Sequence, residues 1–160
     1  MDKVSINIAI VGLGNVAQEH LKAWRKIKDI RVAAVCDSDK QRAGETSRAW
    51  GIPAYSDDLG EVLAEQSISI VDICTPPQAH CSLILQSLGA DSHVIVEKPL
   101  TMTTKEAKMI ISAQRGSKAK VTIIHNWLYV PVMIKALSLI NKGRLGEVLS
   151  AEKKSAIYAQ

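Results

Sequence analysis

The stretch Val4-Ser5-Ile6-Asn7-Ile8-Ala9-Ile10-Val11-Gly12-Leu13-Gly14-Asn15-Val16-Ala17 decides the fold. Val4 to Val11 is rich in β-branched residues, which suits a buried strand. The run stops at Gly12, and Ala17, Leu21, Trp24 and Ile27 then recur at helical spacing on one face. A strand, a Gly-x-Gly-x-x-Ala turn and a helix in succession have a physical logic. Gly12 permits the tight turn, Gly14 leaves room for a diphosphate to approach the backbone, and Ala17 lets helix and strand pack closely. The exposed amides around Asn15 and Val16, with the positive end of the helix dipole, favour a diphosphate. Asp37 ends the next apolar run, Ile30 to Cys36. That context separates a dinucleotide site from an isolated glycine turn.

Outward from this turn the pattern repeats. Asp39 to Trp50 reads as a helix stopped by Gly51. Ile52 to Tyr55 is a short strand, followed by a small helix from Asp58 with Glu61 three residues on. Ile68 to Cys74 is a buried strand, after which Thr75 offers a helix cap and Pro76 suits a first turn. His93 to Val96 is the next strand, and Thr103 with Glu106 makes a capping box for a helix to Gln114. Lys120 to Ile124 is the last strand of the series. Near-continuous apolar strands alternating with helices imply an α/β fold, a Rossmann-type doubly wound parallel sheet covered on both faces. The composition changes near His125, so residues 1–125 are expected to form the dinucleotide-binding domain. Residues 126–160 are expected to be the truncated start of a second, α+β domain, with a helix from Pro131 to Asn141 stopped by Gly143.

Bulk properties narrow the classes. The chain has 160 residues, 47% hydrophobic and 22% charged, without Phe, so aliphatic packing dominates. The net charge of +4 is mild. Lys105, Lys108, Arg115, Lys118 and Lys120 read as a solvated helix face, with no interleaved aromatic residues to suggest nucleic acid. Cys36, Cys74 and Cys81 lack metal-ligand spacing, and no metal is expected. Unpaired thiols, no signal peptide and no membrane-length run suggest the cytoplasm.

Two further motifs fall where open α/β sheets bind ligands, just after buried strands. In Thr75-Pro76-Pro77-Gln78-Ala79-His80, the threonine hydroxyl either caps a helix or touches the cofactor, and His80 is either a packing residue or a contact. In Glu97-Lys98-Pro99-Leu100, a lysine near a nicotinamide ring can pass a proton or orient a substrate hydroxyl, and a cis Pro99 would fix its direction. Asp37 can accept both adenosine ribose hydroxyls, which favours NAD over NADP, while Lys40 and Arg42 can swing toward a 2′-phosphate. A methyltransferase is disfavoured, because Ile10 and Val11 precede the glycines where such enzymes carry an acid.

Together these segments resemble the Gfo/Idh/MocA oxidoreductase family. The matching pieces are the glycine turn with His20 in its helix, Val35-Cys36-Asp37, Trp50-Gly51-Ile52-Pro53-Ala54-Tyr55, Thr75-Pro76 with His80, and Glu97-Lys98-Pro99-Leu100. Gly143-Arg144-Leu145-Gly146-Glu147-Val148 resembles the entry into the family's second domain. The resemblance implies hydride transfer between NAD or NADP and a secondary alcohol of a sugar, cyclitol or similar polyol. It implies Lys98 at the reacting carbinol, Glu97 on the nicotinamide ribose, Thr75 and Pro76 along the cofactor, and Asn126 on the nicotinamide side. Leu128-Tyr129 departs from the Arg-Phe common at that point. The family's second domain supplies most of the substrate pocket and a later Asp-His pair, so this chain is expected to bind cofactor without turning over alone. The alternative is a non-catalytic dinucleotide sensor or partner subunit. The closing segment, Gly146 to Gln160, is expected to pair with another copy of the chain, giving a homo-oligomer.

Overall fold

The computed structural model describes residues 6–152. In chain order these form β1 (Ile6–Val11), α1 (Asn15–Trp24), β2 (Ile30–Cys36), α2 (Lys40–Trp50), β3 (Ala54–Ser56), α3 (Leu59–Glu65) and β4 (Ile70–Ile73). There follow α4 (His80–Gly89), β5 (His93–Val96), α5 (Thr104–Arg115), β6 (Val121–Ile123) and α6 (Pro131–Asn141). The strands form one parallel sheet in the order β3-β2-β1-β4-β5-β6. The chain winds outward from β1 to β3, then crosses back to lay β4 beside β1. Strand order reverses there, and a crevice opens at the carboxyl ends of β1 and β4.

Side-chain alternation divides the core between the two faces of the sheet. Ile8, Ile10 and Val35 pack with Ala17 and Leu21 of α1 and Ala43 of α2. Ala9, Val11, Val71, Ile73, Val94 and Val96 pack with Leu59, Val62, Ile84, Leu88 and Ile110 of α3, α4 and α5. Burial on both sides accounts for the continuous apolar runs.

Most element ends follow from local chemistry. Asp39 and Asp58 cap α2 and α3 by accepting from the amides of Arg42 and Gly60. Thr103 and Glu106 form the capping box of α5. Gly51 takes a left-handed conformation, φ 62°, and the Gly51 and Ile52 amides turn back to the Arg48 and Ser47 carbonyls.

Two expectations need correction. The apolar face of α1 ends at Trp24, and Ile27 lies beyond the helix, 48% exposed. Thr75 caps no helix. The chain passes from Pro76 through a 3₁₀ turn, Pro77–Ala79, before α4 begins at His80 without a side-chain cap. The Thr75 side chain instead packs against the glycine turn, whose missing Cβ would meet it. Residues 147–152 belong to neither helix nor strand, and the rest of the expected pairing segment lies outside the described residues, as does the start of the first strand at Val4.

The chain divides into two units, Met1–Ile124 and His125–Gln160. In the second unit, a 3₁₀ turn at Asn126–Tyr129 precedes α6, which opens at Pro131. Gly143 ends it with φ 65°, and the Gly143 and Arg144 amides return to the Ile140 and Leu139 carbonyls. Among the described residues no helix is long and apolar enough to cross a membrane.

Gly51 gives a clean test of helix termination. A Cβ there meets no atom within 4 Å, so replacement by Ala costs backbone strain alone. Gly51→Ala is expected to lower stability by about 1–2 kcal/mol, measured by urea unfolding. Ile84→Ala, which opens a cavity in the core, should cost about 2–5 kcal/mol.

Candidate functional site

Gly12 sits in the left-handed region at φ 82°, and its amide donates to the Cys36 carbonyl at 2.8 Å. A Cβ at Gly12 would lie 2.7 Å from Thr75 Cγ2, 2.8 Å from the Thr75 nitrogen and 2.9 Å from the Cys74 carbonyl carbon. Only glycine fits this close approach of the β1–α1 turn to the chain after β4. Gly14 differs. It is the N-cap of α1 in extended conformation, and a Cβ built there meets nothing within 4 Å. The free space belongs to whatever binds above it.

The start of α1 is open. No side chain caps it and no acid lies in its first turn, whereas α2, α3 and α5 are capped by Asp39, Asp58 and Thr103. Gly14, Asn15 and Val16 are exposed at this end. Uncapped amides and the dipole make the position attractive to an anion. They open into a cavity of about 820 Å³, within the range of small-molecule sites. Gly12, Gly14, Asn15, Val16, Asp37, Arg42, Thr75 and Pro76 all line it. Ala17 lies beneath, fully buried between α1 and the sheet. The residues present therefore suit a dinucleotide diphosphate.

Asp37 ties this turn to the end of β2. Its buried carboxylate accepts from the Leu13 amide at 2.8 Å through Oδ2 and from the Asp39 amide at 2.9 Å through Oδ1. Arg42 Nη1 donates to both oxygens, at 3.2 and 3.3 Å, and Nη2 lies 3.4 Å from the Asp39 carboxylate. Cys36 also lines the cavity, but burial, reinforced by the charges of Asp58 and Asp37, pushes its thiol up to about 12. It is not a nucleophile at neutral pH.

On the β4 side, Thr75 Oγ1 is buried with no hydrogen-bond partner among the described residues. Such a group needs a partner or costs energy, so it is a ready donor or acceptor for a ligand. The expected contact from His80 is corrected. Its ring is fully buried, with Nε2 2.9 Å from the Thr75 carbonyl and Nδ1 2.9 Å from the Pro99 carbonyl. It joins two loops beneath the site and has no nitrogen left for a cofactor.

The Glu97 amide donates to the Ile73 carbonyl at 3.0 Å, which puts Glu97 beside the end of β4. Its Oε2 accepts from the Lys98 amide at 3.2 Å. The Lys98 side chain is exposed and pairs with no carboxylate among the described residues. The Lys98–Pro99 peptide is cis. Neither Glu97 nor Lys98 lines the large cavity. Asn126 opens the 3₁₀ turn of the second unit.

Two groups of residues escape a reading of the sequence. Asp57, Asp58 and Gln86 line the cavity, brought there by the β3–α3 connection and α4. No local pattern marks them, because they meet only through tertiary packing. Asp72 is fully buried in the middle of β4. A charged residue inside the apolar run Ile70-Val71-Asp72-Ile73 is a signal that it has partners.

Fold and site define a dinucleotide-binding Rossmann domain, and the comparisons with known proteins agree. The chain belongs to the Gfo/Idh/MocA oxidoreductase family, since residues 6–125 match the family's model of an NAD-binding Rossmann fold. It is similar to oxidoreductase P35 of Formosa agariphila, 28% identical over 148 residues that cover 92% of this chain and 46% of that protein. It is 28% identical over 145 residues to inositol 2-dehydrogenase of Rhizobium meliloti, covering 91% and 43%. A crystal structure of an NAD binding oxidoreductase from Klebsiella pneumoniae superposes with a TM-score of 0.83 at 26% identity, covering 89% of this chain and 40% of that one. The chain thus spans less than half the length of these relatives.

The two glycines should respond differently to alanine. Gly12→Ala meets backbone at under 3 Å and a forbidding φ, so its melting temperature should fall markedly. Gly14→Ala meets open space and should melt within a degree or two of the parent. Equal losses in a thermal melt would contradict this geometry of the turn.

Proposed function

We propose that this chain is the cofactor domain of an oxidoreductase that moves hydride between a nicotinamide and a secondary alcohol of a sugar, cyclitol or similar polyol. The single observation that carries this is the uncapped start of α1 facing a cavity bounded by Asp37 and Thr75. The amides from Gly14 to Val16 hold the diphosphate, and Asp37 accepts from the adenosine ribose. Thr75 Oγ1 gains the partner it lacks. Glu97 meets the nicotinamide ribose. When bound, the nicotinamide supplies the hydride acceptor. Lys98 Nζ as the neutral amine would accept the alcohol's O–H hydrogen and take up that proton as the carbonyl forms, and in the reverse direction the ammonium would return it to the oxygen. The substrate class is supported by the name of the inositol 2-dehydrogenase relative.

NAD is the favoured form. A 2′-phosphate would approach the carboxylates of Asp37 and Asp39, and the one nearby guanidinium, Arg42, is already engaged by both. A polypeptide of residues 1–160 alone is expected to bind cofactor without oxidising a polyol, since the matched region covers 46% and 43% of these relatives. The second unit supports self-association. Tyr129, Val132 and Leu149 are 76%, 71% and 86% exposed. Apolar exposure of this kind marks contact surfaces. The three free thiols suit the cytoplasm.

Fluorescence titration with NADH should give saturable binding, abolished in Gly14→Val because the side chain takes the diphosphate's place. Competition should show NAD binding about tenfold more tightly than NADP, the worth of one charged hydrogen bond. Binding undisturbed by Gly14→Val would reject the site, and tighter NADP binding would reject the preference. Sedimentation at high micromolar concentration should show a dimer, and a monomer would remove the self-association claim.

A further inference from the structure

Asp72 is a carboxylate with no accessible surface, and a buried charge requires partners. It projects from β4 toward the face covered by α1, where His20 and Trp24 stand one turn apart and both reach it. Trp24 Nε1 donates to Oδ2 at 2.6 Å. His20 Nδ1 lies 2.9 Å from Oδ2 and 3.1 Å from Oδ1. The other ring nitrogen, Nε2, lies 3.4 Å from Glu97 Oε1. Cys74 Sγ is 3.2 Å from His20 Nδ1 and 3.8 Å from Asp72 Oδ1. A carboxylate can only accept, so a ring with one at each nitrogen is best satisfied when both nitrogens carry a proton.

We propose that His20 is a positioning residue: clasped between Asp72 and Glu97, it donates from both ring nitrogens and fixes the Glu97 carboxylate at the nicotinamide end of the site. Glu97 is the hinge of that arrangement. One of its oxygens faces His20 while the other accepts from the Lys98 amide, so the ring acts on the orientation of the Glu97-Lys98 corner without touching a ligand. The chain of contacts runs from the part-buried Trp24–Asp72 hydrogen bond through His20 to Glu97. This function of Glu97 rests on the cofactor reading above.

The groups facing the ring act in one direction. The hydrogen bond to Asp72 is the largest influence and raises the His20 pKa. Burial opposes it, and the charges of Asp72 and Glu97 add to the rise. Cys74 stays a thiol, because burial and the Asp72 charge push it up as well. Within the cluster the Trp24 N–H donates to one Asp72 oxygen. The His20 side chain is 16% exposed, enough for solvent protons to reach it. A raised folded-state value means that the protonated ring stabilises the fold fully below about pH 6.5, its ordinary value. That contribution is lost as pH rises through the folded value.

Two measurements on the full chain test the proposal. Long-range ¹H–¹⁵N spectra of the His20 ring should show both nitrogens protonated below a titration midpoint that lies above about 6.5. Glu97→Gln, which keeps shape and removes charge, should lower that midpoint. A midpoint at or below about 6.5, or one indifferent to Glu97→Gln, would overturn the proposal. NADH affinity should hold at low pH and weaken as pH rises through the same midpoint. His20→Gln should bind about tenfold more weakly and show no such inflection. A wild-type profile without the inflection, or a matching one in His20→Gln, would count against the positioning role. If NADH fails to bind the parent at every pH, the cofactor reading falls, and the ring titration alone decides whether His20 bridges the two carboxylates.

Discussion

The site depends on one close approach, that of the Gly12 backbone to Thr75. No Cβ can stand between them, since it would fall under 3 Å from Thr75 and Cys74 atoms. The contact draws the turn after β1 against the chain leaving β4, at the point where strand order reverses. Everything that could hold a dinucleotide is arranged around that contact. Gly14 sits one step beyond it with open space above, and Asp37 holds the turn from the other side through the Leu13 amide. Thr75, committed to the contact, keeps a hydroxyl without a partner among the described residues.

The electrostatic character of the cavity comes from what has been left undone. Three helices of the sheet layer begin with a side-chain cap that takes up one of their first amides. The helix that begins at the crevice is not capped, which concentrates unpaired donors where the cavity opens. Negative charge lines the cavity on Asp37, Asp57 and Asp58, and Arg42 offsets part of it. On the proposed reading, a diphosphate lies over the helix and a ribose beside the acids. Outside the large cavity, the buried Asp72 requires a cationic or donating neighbour, and His20 meets that requirement while reaching Glu97.

Much of this is readable in the chain because it is local. The strand-turn-helix at Gly12 to Ala17, the caps at Asp39, Asp58 and Thr103, and the stops at Gly51 and Gly143 are each set by a few consecutive residues. What cannot be read depends on distant partners. The pattern at Thr75 resembles a helix cap, yet packing against Gly12 outweighs that local preference. By sequence His80 is equally able to face a ligand or the interior, and the carbonyls of Thr75 and Pro99, drawn together by the fold, decide for the interior. Arg42 is legible as a basic residue after Asp37, but its engagement with that acid is not.

The most direct measurement is an amide ¹H–¹⁵N map of the chain with and without NADH. The expected result is that the largest saturable shifts fall on the Gly12–Ala17 turn, with smaller ones at Asp37 and Thr75. Contradiction would come from shifts that leave the start of α1 unmoved while clustering elsewhere on the surface, or from a spectrum unchanged at saturating NADH.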